Sequence, residues 1–151
     1  MLDPVAPGRI ALLAAARAAI LACAAAAAPE EGCGVLVGRV AGSSTLIIAA
    51  PPLANTAATP RDRFAIAPSD LAAAAAAARR QGLEIVGFYH SHPRGLARPS
   101  AADVAEASAW PGYAHVIAAT QDPARLRGWE TGLAGWTEQP LLDGGLSWPT
   151  F

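Results

Sequence analysis

A nearly continuous apolar run at Leu83–His90, with the sequence LEIVGFYH, restricts the possible folds more than any other segment. Its length suits a β-strand, and the lack of polar alternation indicates that other parts of the chain cover both faces of that strand. Such a strand lies inside a sheet that carries helices on its faces. The 151 residues are the length of one ordinary domain, so we predict a single α/β domain over residues 1–151.

The segments on either side of this run predict a mixed β-sheet flanked by helices. Cys33–Val40 and Ser44–Ala50 predict a hairpin, and the proline-containing Pro51–Pro60 predicts a loop. The alanine-rich stretch after Pro68 predicts a helix that Ser69 caps and Gly82 ends. The rest of the chain predicts a helix at Ser100–Trp110 and strands at Tyr113–Thr120, Ala124–Glu130 and Leu133–Glu138.

The first thirty residues allow two interpretations. Arg9 precedes an apolar, alanine-rich stretch that resembles a secretory signal, but Arg17 interrupts it and alanine is only weakly hydrophobic. We therefore predict an ordinary helix, and expect an uncleaved, cytoplasmic chain with no membrane-spanning segment. The residues predicted to face the core recur at helical spacing: Ile10, Leu13, Ala14, Ala18, Leu21 and Ala25.

Charge and cysteine content argue against a nucleic-acid-binding protein, a disulfide-rich protein and a CxxC zinc protein. The 11 basic residues, all arginines, nearly balance 12 acidic ones, and a net charge of −1 gives no broad field to attract nucleic acid. The spacing of Cys23 and Cys33 fits neither a disulfide framework nor a CxxC zinc site. We predict that both cysteines are small buried residues.

A His-x-His pair ends the apolar run and predicts a metal site. In an extended strand residues i and i+2 point to the same side, so His90 and His92 can converge on one ion. A turn-rich segment leads from them to Ser100 and Asp103, and it can bring Asp103 back as a third ligand. Two imidazoles and one carboxylate leave Zn²⁺ an open position, which is the pattern of catalytic zinc sites.

Glu31 is the candidate proton carrier, because a hydrolytic zinc site needs a group that accepts a proton from water. Simpler interpretations exist for each residue. Ser100 and Asp103 also match a helix-capping signature, and the two interpretations are compatible. Glu30 and Glu31 taken alone resemble solvated charges. His115 has no partner in the sequence and is predicted to be an ordinary packed or surface histidine.

Together these residues resemble the JAMM (MPN+, Mov34/PAD-1) metallopeptidases. Glu31, followed by His90-Ser91-His92-Pro93, Ser100 and Asp103, reproduces the family signature E…HSHP…SxxD. The resemblance extends through PEEGCGVLVG, Asn55, FAIAPSD and PSAADVAEA, and it is strongest to the short, stand-alone bacterial members. The choice of Glu31 over Glu30 rests on the spacing of that family.

The resemblance implies a cytidine-deaminase-like fold with one zinc ion per chain, bound by His90, His92 and Asp103. It assigns general acid/base catalysis to Glu31 and an oxyanion hydrogen bond to Ser100. It also implies hydrolysis of the amide or isopeptide bond that follows the C-terminal Gly-Gly of a ubiquitin-like or sulfur-carrier protein.

Two alternatives stay open: a zinc-binding scaffold without turnover, and another zinc hydrolase such as a deaminase, although the H-x-E and PCxxC of deaminases are missing. The sequence determines neither the partner nor the oligomeric state. It also leaves open the role of four arginines, Arg61, Arg63, Arg94 and Arg98.

Overall fold

The computed structural model describes residues 8–107, 111–132 and 135–144. Within these ranges the helices are α1 (Ala14–Ala27), α2 (Pro68–Arg80) and α3 (Ala101–Ala107). The strands are β1 (Arg9–Leu12), β2 (Cys33–Ala41), β3 (Ser44–Ala49), β4 (Pro52–Leu53), β5 (Glu84–Ser91), β6 (Ala114–Ala118), β7 (Leu126–Gly132), β8 (Gly135–Gln139) and β9 (Leu141–Asp143). None of the helices in the described ranges is long and apolar enough to cross a membrane.

All nine strands belong to one mixed sheet with the order β8-β7-β6-β5-β2-β3-β1-β9, and β4 pairs with β2. Strand β5 is parallel to β6, and β1 is parallel to β3 and β9. The remaining pairings are antiparallel. The predicted α/β class and mixed sheet are therefore confirmed, whereas the extent of the domain over residues 1–151 stays a prediction.

Strand β5 lies at the centre of the sheet, as its apolar sequence predicts. One hydrophobic cluster joins Tyr89 to Leu36 and to Ile20 of α1, and a second joins Phe88 to Val35 and to Ala78 of α2. Helices α1 and α2 thus pack against different side chains of β5. This packing buries the strand that ends at the histidines.

The beginning of the chain differs from the prediction. Residues 9–12 form β1 instead of helix, because Ile10–Leu12 pair with β3 on one side and with β9 on the other. The predicted helical face is also wrong, since α1 buries Ala16 and Ile20 and leaves Ala14, Ala18 and Ala25 exposed. An alanine-rich helix has too little contrast between its faces for the spacing to identify the buried one.

Smaller corrections concern the ends of elements. Helix α2 begins at Pro68 and Ala67 precedes it without a side-chain cap, so the predicted cap by Ser69 is wrong. Gly82, with φ of +72°, follows the end of α2 as predicted. The loop predicted after the hairpin contains β4, and α3 begins at Ala101. The predicted end of α3 at residues 108–110 and the predicted strand start at residue 133 lie outside the described residues.

Candidate metal and catalytic site

The imidazoles of His90 and His92 converge at the end of β5. His90 is completely buried and His92 is partly exposed. Their Nε2 atoms lie 3.0 Å apart. This is the arrangement that residues i and i+2 of an extended strand are expected to give.

Asp103 lies beside both histidines. Its Oδ2 is 3.1 Å from Nε2 of His90 and 3.3 Å from Nε2 of His92. The same oxygen accepts the backbone N–H of Ser100 at 2.8 Å, and the Asp103 N–H donates to Oγ of Ser100 at 3.1 Å. The reciprocal cap at the start of α3 therefore orients the Asp103 carboxylate toward the histidines, so capping and metal binding are compatible.

The three side-chain atoms fit a tetrahedral zinc ion. Imidazole nitrogen and carboxylate oxygen bind zinc at about 2.0–2.1 Å, which places two ligands of a tetrahedral ion about 3.3–3.4 Å apart. The separations of 3.0, 3.1 and 3.3 Å are within a few tenths of an ångström of that value. The donor set of two nitrogens and one oxygen is also one that zinc prefers.

Glu31 is a fourth potential ligand, but it lies farther out. Its carboxylate and the two imidazoles offer ligand atoms that all lie within 4.8 Å of one another. Oδ2 of Asp103 lies within hydrogen-bond distance of Nε2 of both imidazoles, at 3.1 and 3.3 Å, so we favour Asp103 as the ligand and leave Glu31 beside the site. Glu31 is 5% exposed, whereas its neighbour Glu30 is exposed. The geometry thus favours the sequence-based choice between the two glutamates.

The carboxyl group of Glu31 is in an unusual electrostatic environment. Its Oε1 is buried and has no hydrogen-bond partner in the described part of the chain. Burial raises the pKa of Glu31 from 4.5 to about 7, against the opposing effect of His92 and with a further contribution from Asp103. A carboxyl group with a pKa near neutrality can both accept and return a proton.

Backbone contacts hold Glu31 in this position. The Glu31 N–H donates to the Pro60 carbonyl at 2.8 Å, and Nδ2 of Asn55 donates to the Glu31 carbonyl at 2.9 Å. Next to it, the Gly32 N–H donates to Oγ of Ser91 at 2.8 Å. A Cβ at Gly32 would lie 2.9 Å from Sγ of Cys23, so only glycine lets α1 approach this closely. Ser91, between the two histidines, thereby ties the Glu31 segment to β5.

Strand β7 and the turn before it hold the loop at residues 93–99, which connects His92 to Ser100. The carboxylate of the buried Asp122 accepts the Ala97 N–H at 3.1 Å and two hydrogen bonds from Arg127. Nε1 of Trp129 donates to the Ala97 carbonyl at 3.2 Å. These contacts fix the path along which the chain returns to Asp103, and they have no local signal in the sequence because they join segments that are distant along the chain.

Two of the three proposed ligands have the charge states that metal ligands need. Burial lowers the pKa of His90, which favours the neutral imidazole. Burial alone would raise the pKa of Asp103, but hydrogen bonds with His90 and His92 lower it well below its usual range. His92 differs, because hydrogen bonds with Asp103 and the Leu96 carbonyl outweigh the effect of burial and raise its pKa.

Two aromatic residues that the sequence did not indicate pack against His90. Phe64 stacks on its ring with centroids 4.6 Å apart. His115 was predicted to be an ordinary packed or surface residue; it is buried, and its Nε2 lies 2.8 Å from Nδ1 of His90. The signal for His115 is non-local, because it depends on the pairing of β5 with β6 and on their register.

A cavity of about 210 Å³ opens beside the site. Asp103, Glu106 and His115 contribute polar groups to it, while its walls are mainly apolar and aromatic: Phe64, Ile66, Leu71, Phe88, Tyr113 and Trp136. This is the usual composition of a binding pocket, in which apolar walls surround a few polar groups. The arginines whose roles the sequence left open, at positions 61, 63, 94 and 98, are all exposed.

Comparison with known proteins identifies relatives of the chain. Residues 13–131 match the family described as prokaryotic homologues of the JAB domain. A desampylase from Haloferax volcanii is 41% identical over 113 residues, which are 72% of this chain and 79% of the relative. A Thermus thermophilus protein named "Probable TtuB-protein conjugate cleaving protease" is 38% identical over 80 residues, which are 53% of this chain and 51% of the relative.

Solved structures share the fold. A protein from Desulfitobacterium hafniense superposes with a TM-score of 0.79 at 29% identity, over 91% of this chain and 95% of the other. A JAB1/MPN domain protein from Archaeoglobus fulgidus superposes with a TM-score of 0.54 at 18% identity, over 89% and 98% of the two chains. At that identity the second similarity supports the fold alone.

Proposed function

Because the chain belongs to the prokaryotic JAB family, we propose that it is a zinc-dependent peptidase or isopeptidase acting on conjugates of a ubiquitin-like or sulfur-carrier protein. The resemblance to the JAMM/MPN+ family and the fold expected from it are confirmed by the family match and the related structures. The identity of the metal, the role of each site residue and the cleaved bond belong to the proposal.

One observation carries this proposal. Three atoms that suit zinc, from His90, His92 and Asp103, lie 3.0–3.3 Å apart, and beside them lies Glu31, whose buried Oε1 has no hydrogen-bond partner in the described part of the chain. The first feature supports a metal site, and the second supports a site that moves protons. A scaffold that binds zinc for structure alone has no use for a buried carboxyl oxygen without a hydrogen bond, since burying such an atom costs stability.

The residues of this chain divide the proposed reaction among them. His90, His92 and Asp103 would hold the zinc ion, which would supply Lewis acidity for activating water and polarising a carbonyl group. Glu31 accepts the proton of the attacking water at its free Oε1 and delivers it to the nitrogen of the departing amine. Oγ of Ser100 accepts the Asp103 N–H, which leaves its hydroxyl hydrogen available to the carbonyl oxygen as negative charge develops there.

The proposed substrate bond is the amide that follows a C-terminal Gly-Gly. The names of the two relatives support conjugates of ubiquitin-like or sulfur-carrier proteins as the substrate class. A diglycine has no side chains and needs only a narrow path to the metal site, while the mainly apolar cavity next to Asp103 can receive a larger neighbouring group. The free thiols of Cys23 and Cys33 are compatible with the proposed cytoplasmic location.

The test uses a sulfur-carrier protein extended by a short peptide beyond its Gly-Gly. Zinc-loaded parent protein should release the extension, and mass spectrometry should place a single cut after the second glycine. Glu31→Gln and Asp103→Ala should lose this activity, whereas Glu30→Gln, a change in the exposed neighbour, should keep it.

Two outcomes would contradict the proposal. Equal cleavage by Glu31→Gln and the parent would remove Glu31 from the mechanism. Stoichiometric zinc without cleavage of the fusion would favour the scaffold alternative.

A further inference from the structure

We propose that His115 is a positioning residue for His90: it accepts a hydrogen bond from Nδ1–H of His90 and thereby directs Nε2 of His90 toward the metal. The inference rests on the metal site of the proposed function, but it concerns a residue outside the family signature that carried the sequence analysis. In this role His115 acts on the metal site through the side chain of His90.

The geometry of the two strands creates this contact. Strands β5 and β6 are parallel, with Phe88 opposite His115 and His90 opposite Ile117. His115 therefore lies diagonally next to His90 on the same face of the sheet. Both side chains are buried, and Nδ1 of His90 lies 2.8 Å from Nε2 of His115, a normal hydrogen-bond length.

Aromatic packing keeps both rings in this orientation. Phe64 stacks on one face of the His90 ring, and the His115 ring meets His90 edge to face with centroids 4.9 Å apart. Trp136 packs on His115 with centroids 4.5 Å apart. This packing restricts the planes of both imidazole rings, and within those planes Nδ1 of His90 faces Nε2 of His115.

The hydrogen bond also selects a tautomer. A neutral imidazole carries a hydrogen on one nitrogen and a lone pair on the other, and a metal ion needs the lone pair. If Nε2 of His90 binds the metal, its Nδ1 carries the hydrogen and requires an acceptor, which Nε2 of His115 provides. The reverse arrangement would put the hydrogen on Nε2 of His90 and prevent coordination.

His92 provides a contrast within the same site. Its Nδ1 lies 2.9 Å from the Leu96 carbonyl, which can only accept a hydrogen bond. The backbone thus determines the tautomer of His92, and no side-chain substitution removes that acceptor. For His90 the acceptor is a side chain, so the tautomer depends on residue 115.

The test measures zinc affinity, by competition with a chromogenic chelator, in the parent, His115→Leu and His115→Gln. Leucine fills much of the space but cannot accept a hydrogen bond, and we expect zinc to bind about 10–100-fold more weakly. The glutamine Oε1 can occupy the position of Nε2 and accept, so this matched variant should stay within about threefold of the parent. With Co²⁺ in place of zinc, the visible absorption should change in the leucine variant and not in the glutamine variant.

A second measurement needs no variant and covers the case in which His115→Leu does not fold. Long-range ¹H–¹⁵N spectra of the zinc-loaded parent should show Nδ1 of His90 protonated and Nε2 of His115 unprotonated. A protonated Nε2 of His115 would overturn the inference, as would a folded leucine variant with the zinc affinity of the parent. A parent protein that binds no zinc would contradict the proposed function as well as this inference. A parent protein that binds zinc as tightly as a folded His115→Leu variant would contradict this inference alone.

Discussion

The carboxyl group of Glu31 is buried next to two histidines and a second carboxylate, and its Oε1 has no hydrogen-bond partner within the described ranges. An isolated buried carboxylate is costly, so the environment favours the protonated form and raises the pKa to about 7. The same feature that suits Glu31 to proton transfer should therefore destabilise the fold before a cation is bound. Residues at active sites often oppose stability in this way.

We expect Glu31→Gln to stabilise the metal-free protein at pH 8. The folded-state pKa of about 7 exceeds the ordinary value of 4.5, so between these values the folded state holds a proton that the unfolded state has lost. The free energy of unfolding must then fall as the pH rises through this range. Glutamine does not ionise, so the variant does not lose this stability as the pH rises. We expect the variant to exceed the parent in free energy of unfolding at pH 8 by an amount on the order of 1–2 kcal/mol, after allowing for solvent screening.

Urea denaturation of chelator-treated protein at pH 4 and pH 8 checks this expectation. The advantage of the variant should be present at pH 8 and absent at pH 4. If parent and variant respond to pH in the same way, Glu31 does not have the raised pKa on which its proposed role depends.

At the scale of elements, the site depends on two loops that bring distant residues to the end of β5. The loop at residues 93–99 is tied to Asp122, whose carboxylate also accepts the Ala124 N–H and a two-point contact from Arg127. The segment at residues 55–65 is organised by Asn55, which donates to the carbonyls of Glu31 and Arg63 and accepts the N–H of Ala57 and Ala65. One loop positions Asp103, and the other positions Glu31.

Removing the Asp122 carboxylate should destabilise the protein. Asp122→Ala leaves the Ala97 and Ala124 N–H groups and Arg127 without their acceptor, and we expect a loss of about 2–4 kcal/mol in the free energy of unfolding. Glu138, an exposed second partner of Arg127, offers the matched control. Glu138→Gln should change the stability by less than about 1 kcal/mol. Equal effects of the two substitutions would contradict the proposed tether.

The same carboxylate gives a pH dependence of opposite sign to that of Glu31. Hydrogen bonds from Arg127, opposed by burial, lower the pKa of Asp122 from 3.8 to about 2. Its contribution to stability is therefore complete above the ordinary pKa and is lost as the pH falls toward 2. Denaturant titrations between pH 2 and pH 5 should show a larger loss in the parent than in Asp122→Ala, which keeps only the contribution of other carboxylates such as Asp103.

Substitution of Asn55 should separate catalysis from metal binding. Asn55→Ala frees the segment that holds Glu31 but touches none of the proposed metal ligands. We expect kcat to fall about 10–100-fold, because small displacements of a catalytic group are costly, while zinc affinity stays within about threefold. Thr56→Ala, which removes one exposed hydrogen bond to the Ala65 carbonyl, is the control and should leave kcat nearly unchanged. A parallel loss of zinc affinity in Asn55→Ala would contradict this account.

At the scale of the whole molecule, the predictions succeeded where the signal was local. The period of two along β5 was enough to place His90 and His92 together. Asp103 and Glu31, which the family resemblance supported, lie beside them, and the roles of all four residues stay predictions. By contrast, β1 forms because it pairs with β3 and β9, which are far away in the chain. The contact of His115 with His90 likewise depends on strand order and register. Neither can be read from periodicity, because strand pairing is a property of the assembled sheet.

Metal binding should be linked to global stability, since the proposed ligands come from β5, the residue after it and α3, which meet only in the folded chain. Zinc present at about 100 times its Kd should raise the free energy of unfolding by about 2.7 kcal/mol. Asp103→Ala should lose most of this increase. Denaturation curves with and without zinc measure it, and an equal increase in parent and variant would exclude Asp103 as a ligand.

The proposed metal site is tested most directly by the anomalous scattering of a zinc-soaked crystal at the zinc absorption edge. We expect one strong peak per chain, about 2.0–2.2 Å from Nε2 of His90, Nε2 of His92 and Oδ2 of Asp103, with the Glu31 carboxylate outside the coordination sphere. A peak ligated by Glu31 in place of Asp103, or no peak at the end of β5, would contradict it.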